Sequence, residues 1–193
     1  YSEFNQIYPK PSWVEHDPIE IWNTTLKLLY EIIENIDPKS IASIGITNQR
    51  ETAVVWNRLT SIPVYNAIVW QCKRTSKKCE ELILEGYSDK FQSKTGLVID
   101  SYFSGTKISW ILNNITDAYD MAKGGELAFG TIDTWLIWNL TCRKSHLTDH
   151  TNASRTLIYN IDDKNWDTEL LKILDIPIQI LPKIKNSSDD FGL

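Results

Sequence analysis

Apolar positions along this chain follow two patterns: steps of three and four in some stretches, short β-branched runs in others. Ile19, Trp22, Leu26, Leu29, Ile33 and Ile36 recur at helical spacing and predict a helix whose single apolar stripe packs on a sheet. Asp17 supplies its N-cap, Pro18 its first position and Glu20 an acid at the third, while Asp37-Pro38 stops it. The run Ile41-Ala42-Ser43-Ile44-Gly45-Ile46-Thr47 is rich in isoleucine and bounded by turn formers, and reads as an interior strand of an α/β sheet. Residues 1–8 alternate polar and apolar, as a half-buried strand would, and Pro9-Lys10-Pro11-Ser12 ends them.

Further strands are predicted over residues 52–57, 64–69 and 126–130, with an extended stretch at 146–149. Thr75 is placed to cap a helix through Glu85 that Gly86 closes, and a short helix falls within residues 87–95. Residues 108–113, residues 134–141 behind an Asp133 cap, and residues 167–174 ahead of Pro177 are also helical. Hairpin-linked strands followed by alternating helices and strands indicate one mixed α/β domain, uninterrupted by repeats, low-complexity tracts or linkers.

Composition narrows the classes. With 193 residues and 42% apolar content the chain can bury a core. A net charge of −5 without a basic stripe argues against nucleic acid or an anionic membrane as partner. No apolar run has the length of a membrane span, so the expected compartment is the cytoplasm. Cys72, Cys79 and Cys142 lack paired zinc-site spacing and read as free thiols. The N-x-[ST] matches at Asn23, Asn114, Asn139, Asn152 and Asn186 read as chance.

Candidate chemistry gathers in Asn48-Gln49-Arg50-Glu51-Thr52, directly after the run at 41–47, because ligands bind where the strands of open α/β sheets end. Arg50 offers only donors and Glu51 only acceptors, a pairing suited to the hydroxyls of a small polyol; a strand-end ion pair is the other reading. Trp70 could face the carbon edge of a polyol and Tyr102 could form an amphipathic wall, although either alone also suits core packing. Asp100 and Asp133 stand after apolar runs and could form a glycosidase-like acid pair, but a turn role and an N-cap role explain them better. His16, His146 and His150 lack metal-ligand spacing, and no phosphate-binding, dinucleotide or nucleophile-elbow motif is present.

Several ordered blocks resemble the amino-terminal domain of the FGGY carbohydrate kinases, and within them the branch acting on glycerol. They include Trp13-Val14-Glu15-His16-Asp17-Pro18, the pentad with Gly45-Ile46-Thr47 before it, Asn66-Ala67-Ile68-Val69-Trp70-Gln71-Cys72 and Thr95-Gly96-Leu97-Val98-Ile99-Asp100. Gly130-Thr131-Ile132-Asp133-Thr134-Trp135 and Thr151-Asn152-Ala153-Ser154-Arg155-Thr156 follow, and Tyr102-x-Ser104-x-x-Lys107-Ile108-x-Trp110 is similar to the family's first signature. The resemblance implies a ribonuclease-H-like fold of the actin and hexokinase superfamily and transfer of the ATP γ-phosphate, with Mg²⁺, to glycerol. By position it implies that Arg50, Glu51 and Tyr102 bind glycerol hydroxyls and that Trp70 packs on the carbon backbone.

The same resemblance implies that residues 1–193 are most of the substrate-binding domain. An amino-terminal hairpin with an Asp-Gln-Gly-Thr-Thr-Ser-type phosphate loop is expected before Tyr1, and a Gly-Asp-Gln segment with the general base, then the nucleotide-binding domain, beyond Leu193. These residues alone are therefore expected to carry part of the glycerol site, no catalytic base and no activity; homo-oligomerisation is left open. Ser12 stands where the family commonly has Gly, Ser101 where it has Pro and His150 where it has Tyr, exchanges expected to be neutral.

Overall fold

The structure, a computed structural model, describes residues 1–192. Its elements in chain order are β1 (Glu15–His16), α1 (Pro18–Ile33), β2 (Val54–Asn57), β3 (Ala67–Ile68), α2 (Ser76–Leu84), α3 (Ser88–Thr95), α4 (Ser104–Asn114) and α5 (Ala118–Lys123). They continue with β4 (Leu127–Gly130), α6 (Ile132–Leu140), β5 (Leu147–Asp149), α7 (His150–Ala153), β6 (Tyr159–Asn160), β7 (Asn165–Trp166), α8 (Thr168–Ile173) and β8 (Lys183–Lys185).

The strands form two-stranded ladders: β1 with β3, β2 with β4 and β6 with β7 antiparallel, β5 with β8 parallel. A bridge between Ala53 and Ile68 joins the first two ladders. Alternation along β2 divides the interior, since successive side chains point to opposite faces. Ala53 and Val55 face a large core with Phe129, Ile108, Ile111, Leu82, Phe91 and Leu170, whereas Val54 and Trp56 face a smaller one with Ile21, Trp135 and Trp138. Gly130 permits this crossing: a Cβ there would lie 2.5 Å from the Thr134 side chain and 3.1 Å from the Trp56 ring.

Two predicted strands do not form. Residues 1–8 contribute only a bridge between Ile7 and Glu15. Residues 41–47 carry no secondary structure, and Ile44 is 57% exposed. The backbone of residues 42–47 makes no backbone hydrogen bond to another described residue, so the strand-like composition has no ladder to join.

The helices follow the sequence signals more closely. Asp17 Oδ1 accepts from the Ile19 amide at 2.8 Å with Pro18 in the first turn, although Glu20 reaches back to Asn5 instead of closing a capping box. The predicted apolar stripe is only partly covered: Trp22, Leu26, Leu29 and Ile33 are half-buried and Ile19 is exposed, while Ile36 lies past the end of α1 and the buried Ile21 falls outside the stripe. Thr75 precedes α2, but its hydroxyl pairs with Thr106 at 2.9 Å instead of capping. The helix predicted over 108–113 starts earlier, at Ser104. Thr131, not Asp133, holds the N-cap position of α6, and Asp133 sits inside its first turn.

Ser12 adopts φ +64°, the left-handed region in which glycine pays no Cβ penalty. Serine there costs about 1 kcal/mol relative to glycine, so this exchange is not conformationally neutral.

His146 gives the fold an acid limit. One ring nitrogen, Nε2, lies 2.8 Å from the Phe129 carbonyl and must donate; the other, Nδ1, lies 3.1 Å from the Arg58 guanidinium and must accept. The ring is therefore neutral, packed between Trp56 and Trp138, and burial beside Arg58 pushes its pKa down to about 4. Between about pH 6.5 and 4 the unfolded chain binds a proton that the folded chain refuses, so stability falls as pH falls through this window. The expected loss by pH 4 is about 3 kcal/mol, levelling off below that for this group. Denaturant unfolding at pH 7 and pH 4 should show a steeper loss in the wild type than in His146→Gln; equal losses would contradict it.

Candidate functional site

The pentad 48–52 carries the chain from the exposed extended segment into β2, and its side chains diverge. Arg50 is exposed, and its guanidinium has no partner among the described residues. Glu51 is 4% exposed, and Thr52 is enclosed with its hydroxyl 3.3 Å from Gln49 Oε1. No Arg50–Glu51 ion pair forms, which removes the strand-end reading. Glu51 is tied instead to distant segments: its carbonyl accepts from Ser104 Oγ at 3.1 Å, and its Oε1 accepts from Arg155 Nε at 2.8 Å. Its other oxygen, Oε2, has no hydrogen-bond partner among the described residues.

The strand bridge that starts β2 also delivers Trp70. Ala53 and Ile68 exchange two backbone hydrogen bonds of 3.0 Å, and the chain leaves β3 toward Trp70 two residues later. Tyr102 arrives from the other side. Asp100 Oδ1 accepts from its amide at 2.7 Å in an Asx turn, and Lys107, one turn into α4, donates from Nζ to the carbonyls of Tyr102 and Phe103. The Trp70 and Tyr102 rings meet with centroids 5.4 Å apart at 55°.

Lys107 is enclosed and has no carboxylate within ion-pair distance among the described residues, so burial pushes its pKa down to about 7. Its role here is to hold the turn that carries Tyr102. Arg155 closes the group, its guanidinium carbon 4.9 Å from the Phe103 ring centroid and 5.8 Å from that of Tyr102. Trp70, Tyr102, Arg155 and Glu51 thus touch in sequence, and Arg50 extends from the same strand end.

The carboxylates considered as an acid pair have separate engagements. Asp133 accepts from Asn48 Nδ2 at 3.1 Å, from Thr148 at 2.8 Å and from the Thr131 hydroxyl; burial raises its pKa, against the pull of those bonds. It anchors the pentad to α6. Asp100 holds the Tyr102 turn and faces Lys73 at 3.6 Å. They share no partner, and neither is presented as a base.

Arg155 and Lys107 lie within recognised blocks yet were assigned no role there. The available signal was a charged residue inside an otherwise uncharged run, Thr151 to Ser154 before Arg155 and Ser104 to Thr106 before Lys107.

A family model described as the N-terminal domain of the FGGY family of carbohydrate kinases matches residues 1–193. Glycerol kinase of Leptospira biflexa is 59% identical over 194 residues, covering 100% of this chain and 39% of the relative. Glycerol kinase of Halothermothrix orenii is 60% identical over 192 residues, 98% of this chain and 38% of that protein. The chain therefore spans about two fifths of the length of these curated relatives. Among solved structures, glycerol kinase of Plasmodium falciparum with ADP superposes with TM-score 0.95 at 41% identity, covering 100% of this chain and 39% of that one. Gluconate kinase of Lactobacillus acidophilus gives 0.84 at 26% identity, covering 95% and 36%. These likenesses bear out the mixed α/β, actin- and hexokinase-like class.

Proposed function

Because the chain belongs to the FGGY family of carbohydrate kinases, we propose that the protein is a glycerol kinase and that residues 1–193 supply the acceptor wall of its substrate-binding domain. It transfers the γ-phosphate of ATP to a terminal hydroxyl of glycerol, giving glycerol 3-phosphate.

One observation carries this reading. Glu51 is buried with one oxygen held by Arg155, beside a paired Trp70 and Tyr102, and neither its other oxygen nor the Arg50 guanidinium has a partner among the described residues. Such a surface offers an acceptor, donors and an aromatic wall within one small site, matching a short carbon chain with a hydroxyl on each carbon. Arg50, Glu51 and the Tyr102 hydroxyl bind the hydroxyls, and Trp70 covers the carbons. Strong sequence identity to glycerol kinases supports the choice of polyol.

Phosphoryl transfer depends on groups and metal ions positioned around the phosphates. Among the described residues no group of His, Cys, Asp or Glu side chains is arranged to hold a metal ion, and Asp133 is already saturated with donors. The role of this stretch in the proposed reaction is to place the acceptor. Cytoplasmic residence without a nucleic-acid partner fits the net charge of −5 and the fact that no helix among the described residues is long and apolar enough to cross a membrane.

The test is phosphorylation by the full-length protein across glycerol, xylulose and gluconate with ATP. Glycerol should be preferred over both in kcat/KM. A sugar or sugar acid preferred over glycerol would overturn the assignment.

A further inference from the structure

A buried carboxylate is stable and fixed in direction only when it is paired and hydrogen-bonded. Glu51 has one side-chain hydrogen-bond partner among the described residues, Arg155 Nε at 2.8 Å. That guanidinium lies over the Phe103 ring, so the donor is itself held against rotation.

The segment bearing Arg155 is also pinned. Asp149 caps α7 through the Asn152 amide at 2.8 Å, and the Thr156 carbonyl accepts from the Gly105 amide at 2.7 Å. A Cβ on residue 105 would lie 2.9 Å from that carbonyl oxygen and 2.9 Å from Leu174 Cδ1, so glycine is what allows α4 to approach the segment this closely. The signature helix that presents Tyr102 and the segment that presents Arg155 are therefore locked together, over Glu51.

We propose that Arg155 is a positioning residue of the acceptor site: by holding Glu51 Oε1 it turns Oε2 toward one hydroxyl of the polyol. This rests on the glycerol reading above. Arg155 makes no other side-chain hydrogen bond among the described residues, and its side chain is 27% exposed. Its removal therefore takes away the partner of Glu51 together with the cation contacts to the Phe103 and Tyr102 rings, which methionine replaces with an apolar chain.

Steady-state kinetics of the full-length protein carrying Arg155→Met, Arg155→Lys and Arg155→Met with Glu51→Gln test this. The Met variant should raise KM for glycerol on the order of 10- to 100-fold, as expected for loss of a charge-assisted hydrogen bond, with kcat and KM for ATP within about threefold of wild type. Lysine should restore part of the loss. The double variant should lose much less than the product of the single losses, because both act through one carboxylate.

A purely structural role would lower the active fraction, hence kcat, and leave KM for glycerol unchanged; that result overturns the proposal, as does multiplicative loss in the double variant. If Arg155→Met does not fold, the KM of the Lys variant and of Arg155→Gln decides by the same criterion. A wild-type protein that does not phosphorylate glycerol overturns both the functional reading and this inference. A wild type that does, beside unchanged variants, overturns this inference alone.

Discussion

Glu51→Gln in the full-length protein is expected to raise KM for glycerol about 100-fold or more. The substitution keeps the shape of the side chain and the Ser104 bond to its backbone carbonyl. It removes the charge that Oε2 offers to a hydroxyl, and it replaces the ion pair with Arg155 by a neutral contact. Hydrogen bonds to charged groups are each worth about 1.5–3 kcal/mol, so losing the charge in both directions corresponds to about two or more powers of ten. Initial rates over a glycerol series at saturating ATP measure it. A KM within threefold of wild type would mean that Glu51 does not touch the acceptor.

The second large effect is on stability. Arg74→Met is expected to cost about 3–5 kcal/mol, because it leaves Glu15 as a buried charge without its cation. Both side chains are enclosed, and Arg74 Nη2 lies 2.5 Å from Glu15 Oε1. Glu15 also accepts from the Tyr65 hydroxyl and Asn66 Nδ2, each at 2.8 Å, while the guanidinium lies 3.9 and 4.6 Å from the Trp13 and Trp110 ring centroids, two rings set edge-on to each other. This cluster ties β1 to the segment that ends at Trp70. Adding Glu15→Met should recover part of the loss, since an apolar pair pays no desolvation penalty. Urea unfolding with unchanged slope reads both, and a loss below about 1 kcal/mol in Arg74→Met would contradict the account.

Local signals proved most reliable where the physics is local. Asp17 caps the helix it was expected to cap, whereas Asp167, read as the first residue of a helix, is its N-cap, with the carboxylate accepting from the amides of Glu169 and Leu170. The pentad was singled out as the end of a strand over 41–47, and because that strand does not form, its place ahead of β2 was not legible from the neighbouring residues. What could not be read depends on partners far along the chain. Residues 41–47 have a strand's composition, yet a strand exists only with a ladder beside it, and none of the described residues provides one. Asp133 looked like a cap because it follows an apolar run; the cap position belongs to Thr131, and the carboxylate is engaged by Asn48 and Thr148. Arg155 reaches Glu51 across 104 residues, a separation over which no local pattern carries information. The enclosure of Lys107 follows from α4 beginning at Ser104, a boundary the apolar periodicity placed four residues too late.

The central claim is that Arg50, Glu51, Trp70 and Tyr102 hold glycerol, and a crystal structure of the full-length protein with glycerol tests it most directly. The expected result places hydroxyls within hydrogen-bond distance of the Arg50 guanidinium, Glu51 Oε2 and Tyr102 Oη, with the Trp70 ring against the carbons and Arg155 still on Glu51 Oε1. Glycerol bound away from these four side chains, or Glu51 Oε2 turned from the ligand, would contradict the account.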